Sequence, residues 1–105
     1  MKDKIIFITG ATSGIGEGCA RKFASEGANL ILNGRNQDKL NELKVELEAD
    51  FGIEVLLLPF DVRDRERAKV AIESLEGKWK SIDVLVNNAG ITKDRCNQAD
   101  LLRDS

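Results

Sequence analysis

Three glycines, Gly10, Gly14 and Gly16, flank the hydroxyls of Thr12 and Ser13 where an apolar run, Ile5 to Ile8, gives way to a helical pattern. The combination suits the binding of phosphate. Residues without Cβ let backbone approach an anion, hydroxyls donate to its oxygens, and the first turn of a helix presents unpaired N–H groups to negative charge. A P-loop would close on Gly-Lys-Ser/Thr, whereas this loop closes on Gly16-Glu17-Gly18. Glycines at relative positions 1, 3 and 6, the usual dinucleotide spacing, are replaced here by 1, 5 and 7. A tight turn that binds nothing is the plain alternative. What favours phosphate is context, with a buried strand before the loop and a helix after it. Groups that could move protons are scarce, because the chain has no Tyr and no His. No catalytic residue and no metal-ligating set is assigned.

The elements that must position this loop follow from periodicity. Strands are expected over Lys4 to Thr9, Asn29 to Asn33, Glu54 to Phe60 and Ile82 to Asn87. Ile15, Cys19 and Phe23 recur at helical spacing, and Gly27 stops that first helix. Asn36 can cap a second helix carrying Leu40, Leu43, Leu47 and Phe51 on one face, with Gly52 at its end. A third, from about Asp64, places Ala68, Ile72, Leu75 and Trp79 on one side. The order βαβαβαβ implies a parallel sheet with right-handed crossovers and helices on both faces. Ile91 to Ser105 is polar apart from Leu101 and Leu102, and reads as a loop running into a short or frayed helix.

Composition narrows the classes. A length of 105 residues with 42% apolar content suits one small α/β domain. Sixteen basic and eighteen acidic residues are scattered in both signs to a net charge of -2, which gives nothing for nucleic acid to bind. Neither Ile5 to Ile8 nor Val55 to Leu58 approaches the roughly 18 apolar residues of a membrane span. Cys19 and Cys96 lie far apart with no metal-type pairing, and with no export leader read, a cytoplasmic protein with reduced thiols is expected.

Three motifs in register carry a resemblance. Thr9-Gly10-Ala11-Thr12-Ser13-Gly14-Ile15-Gly16, Asp61-Val62 and Asn87-Asn88-Ala89-Gly90 together resemble the N-terminal half of the short-chain dehydrogenase/reductase family, over about residues 4 to 93. Asn33-Gly34-Arg35, Asp61-Val62-Arg63 and Trp79-Lys80-Ser81-Ile82-Asp83 are most similar to NADP-dependent dehydrogenases of serine and other 3-hydroxy acids. Ketoacyl-carrier-protein reductases come second, and Gly90-Ile91-Thr92-Lys93-Asp94 leans towards them. The implied fold is α/β, a Rossmann-type doubly wound parallel sheet of which this is the first half, with four strands ordered 3-2-1-4. Residues 1–93 would form the dinucleotide-binding half-domain, and 94–105 a polar tail or the start of a truncated helix.

The resemblance assigns roles residue by residue. Gly10 makes the turn, Gly14 lets backbone reach the pyrophosphate, Gly16 lets the helix pack on the sheet, and Ile15 offers a backbone N–H, with Thr12 and Ser13 beside them. Arg35 stands after the second strand, where an NAD site would place a carboxylate for the ribose 2′-OH. A guanidinium suits a 2′-phosphate, so NADP is expected in preference to NAD. Asp61 would accept from the adenine amine while Val62 packs on the ring, although Asp61 could instead cap the third helix. Asn88, with Ala89 and Gly90, would lie beside the cofactor ribose, or else brace the sheet.

The family's serine, tyrosine and lysine cannot be assigned in this chain. Proton transfer to a developing alkoxide by a positioned acid is worth about 10²–10⁴-fold, so the chain alone is expected to be a poor reductase. Two readings stand beside each other: the NADP-binding portion of an enzyme of secondary alcohols and ketones, and an inactive nucleotide-binding or dimerising module. With Ile82, Val84, Leu85 and Val86 at an open edge, self-association or pairing with a homologous chain is expected.

Overall fold

The computed structural model describes residues 2–11, 14–60, 64–87 and 100–101. Strands β1 (Ile5–Thr9), β2 (Asn29–Asn33), β3 (Val55–Leu58) and β4 (Val84–Asn87) alternate with helices α1 (Gly14–Ser25), α2 (Gln37–Phe51) and α3 (Arg65–Glu73). A 3₁₀ turn over Gly77–Lys80 precedes β4, and a short β5 (Asp100–Leu101) follows. The sheet runs β3-β2-β1-β4-β5, its first four strands parallel in the expected 3-2-1-4 order.

Every residue of β1 and β2 is buried, as expected for central strands of a sheet with both faces covered. Alternation divides their side chains between two cores. Ile6, Ile8, Leu30, Leu32, Val84 and Val86 pack with Cys19, Ala20 and Phe23 of α1 and with Leu40, Leu43 and Leu47 of α2. Ile5, Phe7 and Ile31 join Leu75 on the other face, where Leu56, Leu58, Trp79, Ile82 and Leu85 are only partly buried.

Local signals set the ends of α2. The Asn36 side chain accepts from the Lys39 N–H at 3.1 Å, and Gly52 closes the helix at φ 68°, its N–H donating to the Glu48 carbonyl. Gly27, at φ 88°, follows α1 in the same left-handed region.

Five expectations need correction. The third helix stops at Glu73, capped by Ser74, so Trp79 belongs to the separate 3₁₀ turn and Ile72 is 43% exposed. The cap of α3 is Asp64, whose carboxylate accepts from the Arg67 N–H at 3.2 Å, and this removes the capping role considered for Asp61. Phe51, in the last turn of α2, is 38% exposed instead of sharing the buried face. The outer edge of β4 is not bare, because β5 pairs antiparallel with it in the register Val84↔Leu101 and Leu85↔Asp100, so part of the tail read as helix is strand. Cys19, fully buried, is disulfide-bonded rather than reduced, and Cys96 lies outside the described residues.

Candidate nucleotide site

Parallel strands end on a common edge, and the chain leaves the sheet there at Gly10 after β1 and towards Arg35 after β2. Gly10 turns the chain off β1 at φ 62°, a conformation that favours glycine. The next residue, Ala11, is fully buried and donates its N–H to the Asn33 carbonyl at 2.8 Å, fastening the loop to the end of β2. α1 then starts at Gly14 and folds back so closely that a Cβ at Gly16 would stand 2.1 Å from the Gly10 oxygen and 2.8 Å from Ala11 Cα. Only glycine permits that approach.

Gly14 differs. Beyond its chain neighbours and its own helix backbone, no atom of the described residues lies within 4 Å of where its Cβ would be, so packing among them does not account for its lack of a side chain. Ile15 follows in the first turn of α1. Thr12, Ser13, Asp61, Val62, Asn88, Ala89 and Gly90 lie outside the described residues. The strand end before Asn88 is placed: Thr9 pairs with Asn87, and the Thr9 hydroxyl donates to the Val86 carbonyl at 3.4 Å.

Arg35 is exposed two residues after β2, on the same edge as the glycine loop. Between α1 and α2 opens a small cleft of about 110 Å³ whose lining includes Ala11, Arg21 and Lys39. Arg21 is engaged there. It makes a bifurcated contact with Glu17, at 3.1 Å from Nε and 2.9 Å from Nη2, and a second ion pair with Glu46 across the helix pair. Hydrogen bonding to Glu46, then to Glu17, raises its pKa, which keeps it charged at any working pH. Lys39 makes no ion pair among the described residues.

One residue that sequence reasoning passed over is Asn33. Its side chain is buried at 1% exposure, and its Nδ2 donates to the Leu58 carbonyl at 2.9 Å and to the Phe60 carbonyl at 3.0 Å. An asparagine closing an otherwise apolar strand, Asn29-Leu30-Ile31-Leu32-Asn33, was the available signal. No cluster able to hold a metal ion occurs among the described residues, and none of their helices is long and apolar enough to cross a membrane.

The short chain dehydrogenase family model matches residues 4–104. The chain belongs to the short-chain dehydrogenase family. It is 42% identical over 87 residues to the NADP-dependent 3-hydroxy acid dehydrogenase YdfG of Escherichia coli K12, covering 83% of this chain and 34% of that protein. It is 45% identical over 92 residues to a 12alpha-hydroxysteroid dehydrogenase of Clostridium sp., covering 82% of this chain and 36% of the relative. Among solved structures, L-sorbose reductase from Gluconobacter frateurii, complexed with NADPH and L-sorbose, superposes with a TM-score of 0.79 at 39% identity over 89% of this chain and 35% of that one. Serine dehydrogenase from Escherichia coli matches with a TM-score of 0.69 at 40% identity, over 77% of this chain and 36% of that one. The chain thus spans about a third of the length of these relatives. The similarity to serine and 3-hydroxy acid dehydrogenases expected from the sequence is found.

Proposed function

We propose that this chain binds NADP(H) along the shared ends of β1, β2 and β4. In this reading the loop from Gly10 to Gly16 takes the pyrophosphate, with Thr12, Ser13 and the Ile15 N–H donating to it. Arg35 takes the 2′-phosphate, Asp61 and Val62 hold the adenine, and Asn88, Ala89 and Gly90 flank the nicotinamide-side ribose. The observation that carries the reading is the contact of Gly16 with Gly10, which draws the start of α1 against the turn. That closeness points helix N–H groups at one spot. The open space at Gly14 and the guanidinium after β2 fit the same ligand, and of the relatives named above YdfG is NADP-dependent and L-sorbose reductase was solved with NADPH.

Residues 1–93 would then act as a nucleotide-binding half-domain within an oxidoreductase of secondary alcohols and ketones, of the 3-hydroxy acid or 3-ketoacyl type. A bound nicotinamide supplies the hydride chemistry. The 105 residues contain no tyrosine, so the proton donor that the family resemblance implies is not among them. Titrating the chain with NADPH and with NADH tests the reading. NADPH should bind more tightly by about tenfold, and Arg35→Ala should erase that difference, since one charge-assisted phosphate contact is worth roughly this much. Absence of any thermal shift or fluorescence change at millimolar NADPH would reject it.

A second reading, pairing with another chain of the same kind, draws support from β4. β5 covers Val84 and Leu85, and beyond them the outer edge of β4 has no partner among the described residues. Such an edge invites strand addition. A monodisperse monomer by light scattering at tens of micromolar would exclude this reading. A cytoplasmic setting completes the proposal, and fractionation of the expressing cells checks it.

A further inference from the structure

Asn33 joins three strand ends that the nucleotide reading needs held together. Its backbone carbonyl receives the Ala11 N–H at 2.8 Å and so anchors the corner after β1. Its Nδ2 reaches the carbonyls of Leu58 and Phe60, at 2.9 and 3.0 Å, where β3 ends and the backbone cannot continue the ladder through Pro59. Arg35 leaves the same strand end two residues later. A buried amide with both donor bonds spent on neighbouring backbone is not available to a ligand from that atom. What it controls is spacing.

We infer that Asn33 is a positioning residue for the adenosine end of the nucleotide, fixing the distance between the Gly10–Ala11 corner, the Arg35 segment and the end of β3. This inference rests on the NADP reading above. Without the Asn33 amide, the Phe60 carbonyl loses its side-chain donor in a buried position, and the Leu58 carbonyl keeps only the Phe60 N–H, at 3.0 Å. The ends of β2 and β3 then separate to admit water. Arg35 is carried with β2, so a 2′-phosphate held against the glycine corner loses its partner first. Leucine matches asparagine in shape and has no donor, which makes Asn33→Leu the direct probe.

The whole chain, wild type and Asn33→Leu, is titrated with 2′,5′-ADP and with 5′-AMP, and each protein is melted by circular dichroism. Asn33→Leu should bind 2′,5′-ADP about tenfold more weakly, and its preference for that nucleotide over 5′-AMP should fall by about threefold or more, as expected for two lost hydrogen bonds that position a charge. A folded Asn33→Leu protein with both dissociation constants within about twofold of wild type overturns the inference. So does an equal loss for the two nucleotides, the signature of general loosening. Where Asn33→Leu does not fold, Asn33→Thr, whose hydroxyl can serve one carbonyl, is read by the same criteria. A wild-type chain that binds neither nucleotide rejects the NADP reading itself, and is told apart because no variant is involved.

Discussion

Asp83 and Ile5 close the start of the sheet with two hydrogen bonds: the Ile5 N–H donates to Asp83 Oδ2 at 2.9 Å, and the Asp83 N–H donates to the Ile5 carbonyl at 2.8 Å. One residue thus satisfies both polar groups of Ile5, at the end of the sheet opposite the glycine loop. A hydrogen bond to a charged group is worth about 1.5–3 kcal/mol, so Asp83→Ala should destabilise the chain by roughly that amount. Asp83→Asn keeps an accepting oxygen and should cost less. Urea unfolding of the two variants checks this order, and equal losses would contradict it.

The glycines of the loop should respond in opposite ways to alanine. At Gly16 the added methyl meets backbone at 2.1 Å, so Gly16→Ala should lower the melting temperature sharply or prevent folding. At Gly14 it meets open space, so Gly14→Ala should melt within a few degrees of wild type, roughly what a change of less than 1 kcal/mol produces. If the nucleotide reading holds, Gly14→Ala should nonetheless weaken NADPH binding. A Gly14→Ala chain with unchanged stability and unchanged affinity would remove Gly14 from the site.

Gly18 offers a gain. It is exposed within α1, and beyond its chain neighbours and its own helix backbone no atom of the described residues lies within 4 Å of a Cβ built there. Alanine in a helix interior is favoured over glycine by about 0.8–1 kcal/mol, so Gly18→Ala should raise the midpoint of thermal unfolding by several degrees.

Acid should loosen the contact of α2 with β3. Glu48 Oε2 accepts from Lys44 Nζ at 2.8 Å and from the Val55 N–H at 3.0 Å, while Lys44 Nζ also donates to the Val55 carbonyl at 2.6 Å. The bond from Lys44 is the main cause that holds the Glu48 carboxyl below its ordinary value of 4.5. A carboxyl lowered on folding contributes stability that is complete above its unfolded value and disappears as pH falls through the folded one. Wild type should therefore lose this contribution progressively below about pH 5, and Glu48→Gln should not show that component. Parallel curves of stability against pH for the two proteins would refute it.

Local chemistry was legible in the sequence where neighbours in the chain decide it. The cap at Asn36, the stop at Gly52 and the alternation that divides Ile6 and Ile8 from Ile5 and Phe7 are all set within a few residues. The misreadings came from contacts distant in the chain or from punctuation without an obvious signal. Trp79 kept helical spacing with Leu75, yet Ser74 ends α3 through its N–H and its hydroxyl, which donates to the Val70 carbonyl at 2.7 Å, and Gly77 turns the chain at φ 62°. Asp100 and Leu101 have no strand-like alternation to read, because their pairing depends on β4. Asn33 looked like part of a motif, and its work became visible only when β3 was placed beside it.

The two sides of the sheet are insulated unequally, with α1 and α2 sealing one while Leu56, Leu58 and Leu85 stay half open on the other. Water therefore has a preferred side of entry. Deuterium should enter the amides of β3 and β4 well before those of β1 and β2, and an apolar dye should find its berth on the thinly roofed side of the native chain rather than only after denaturation.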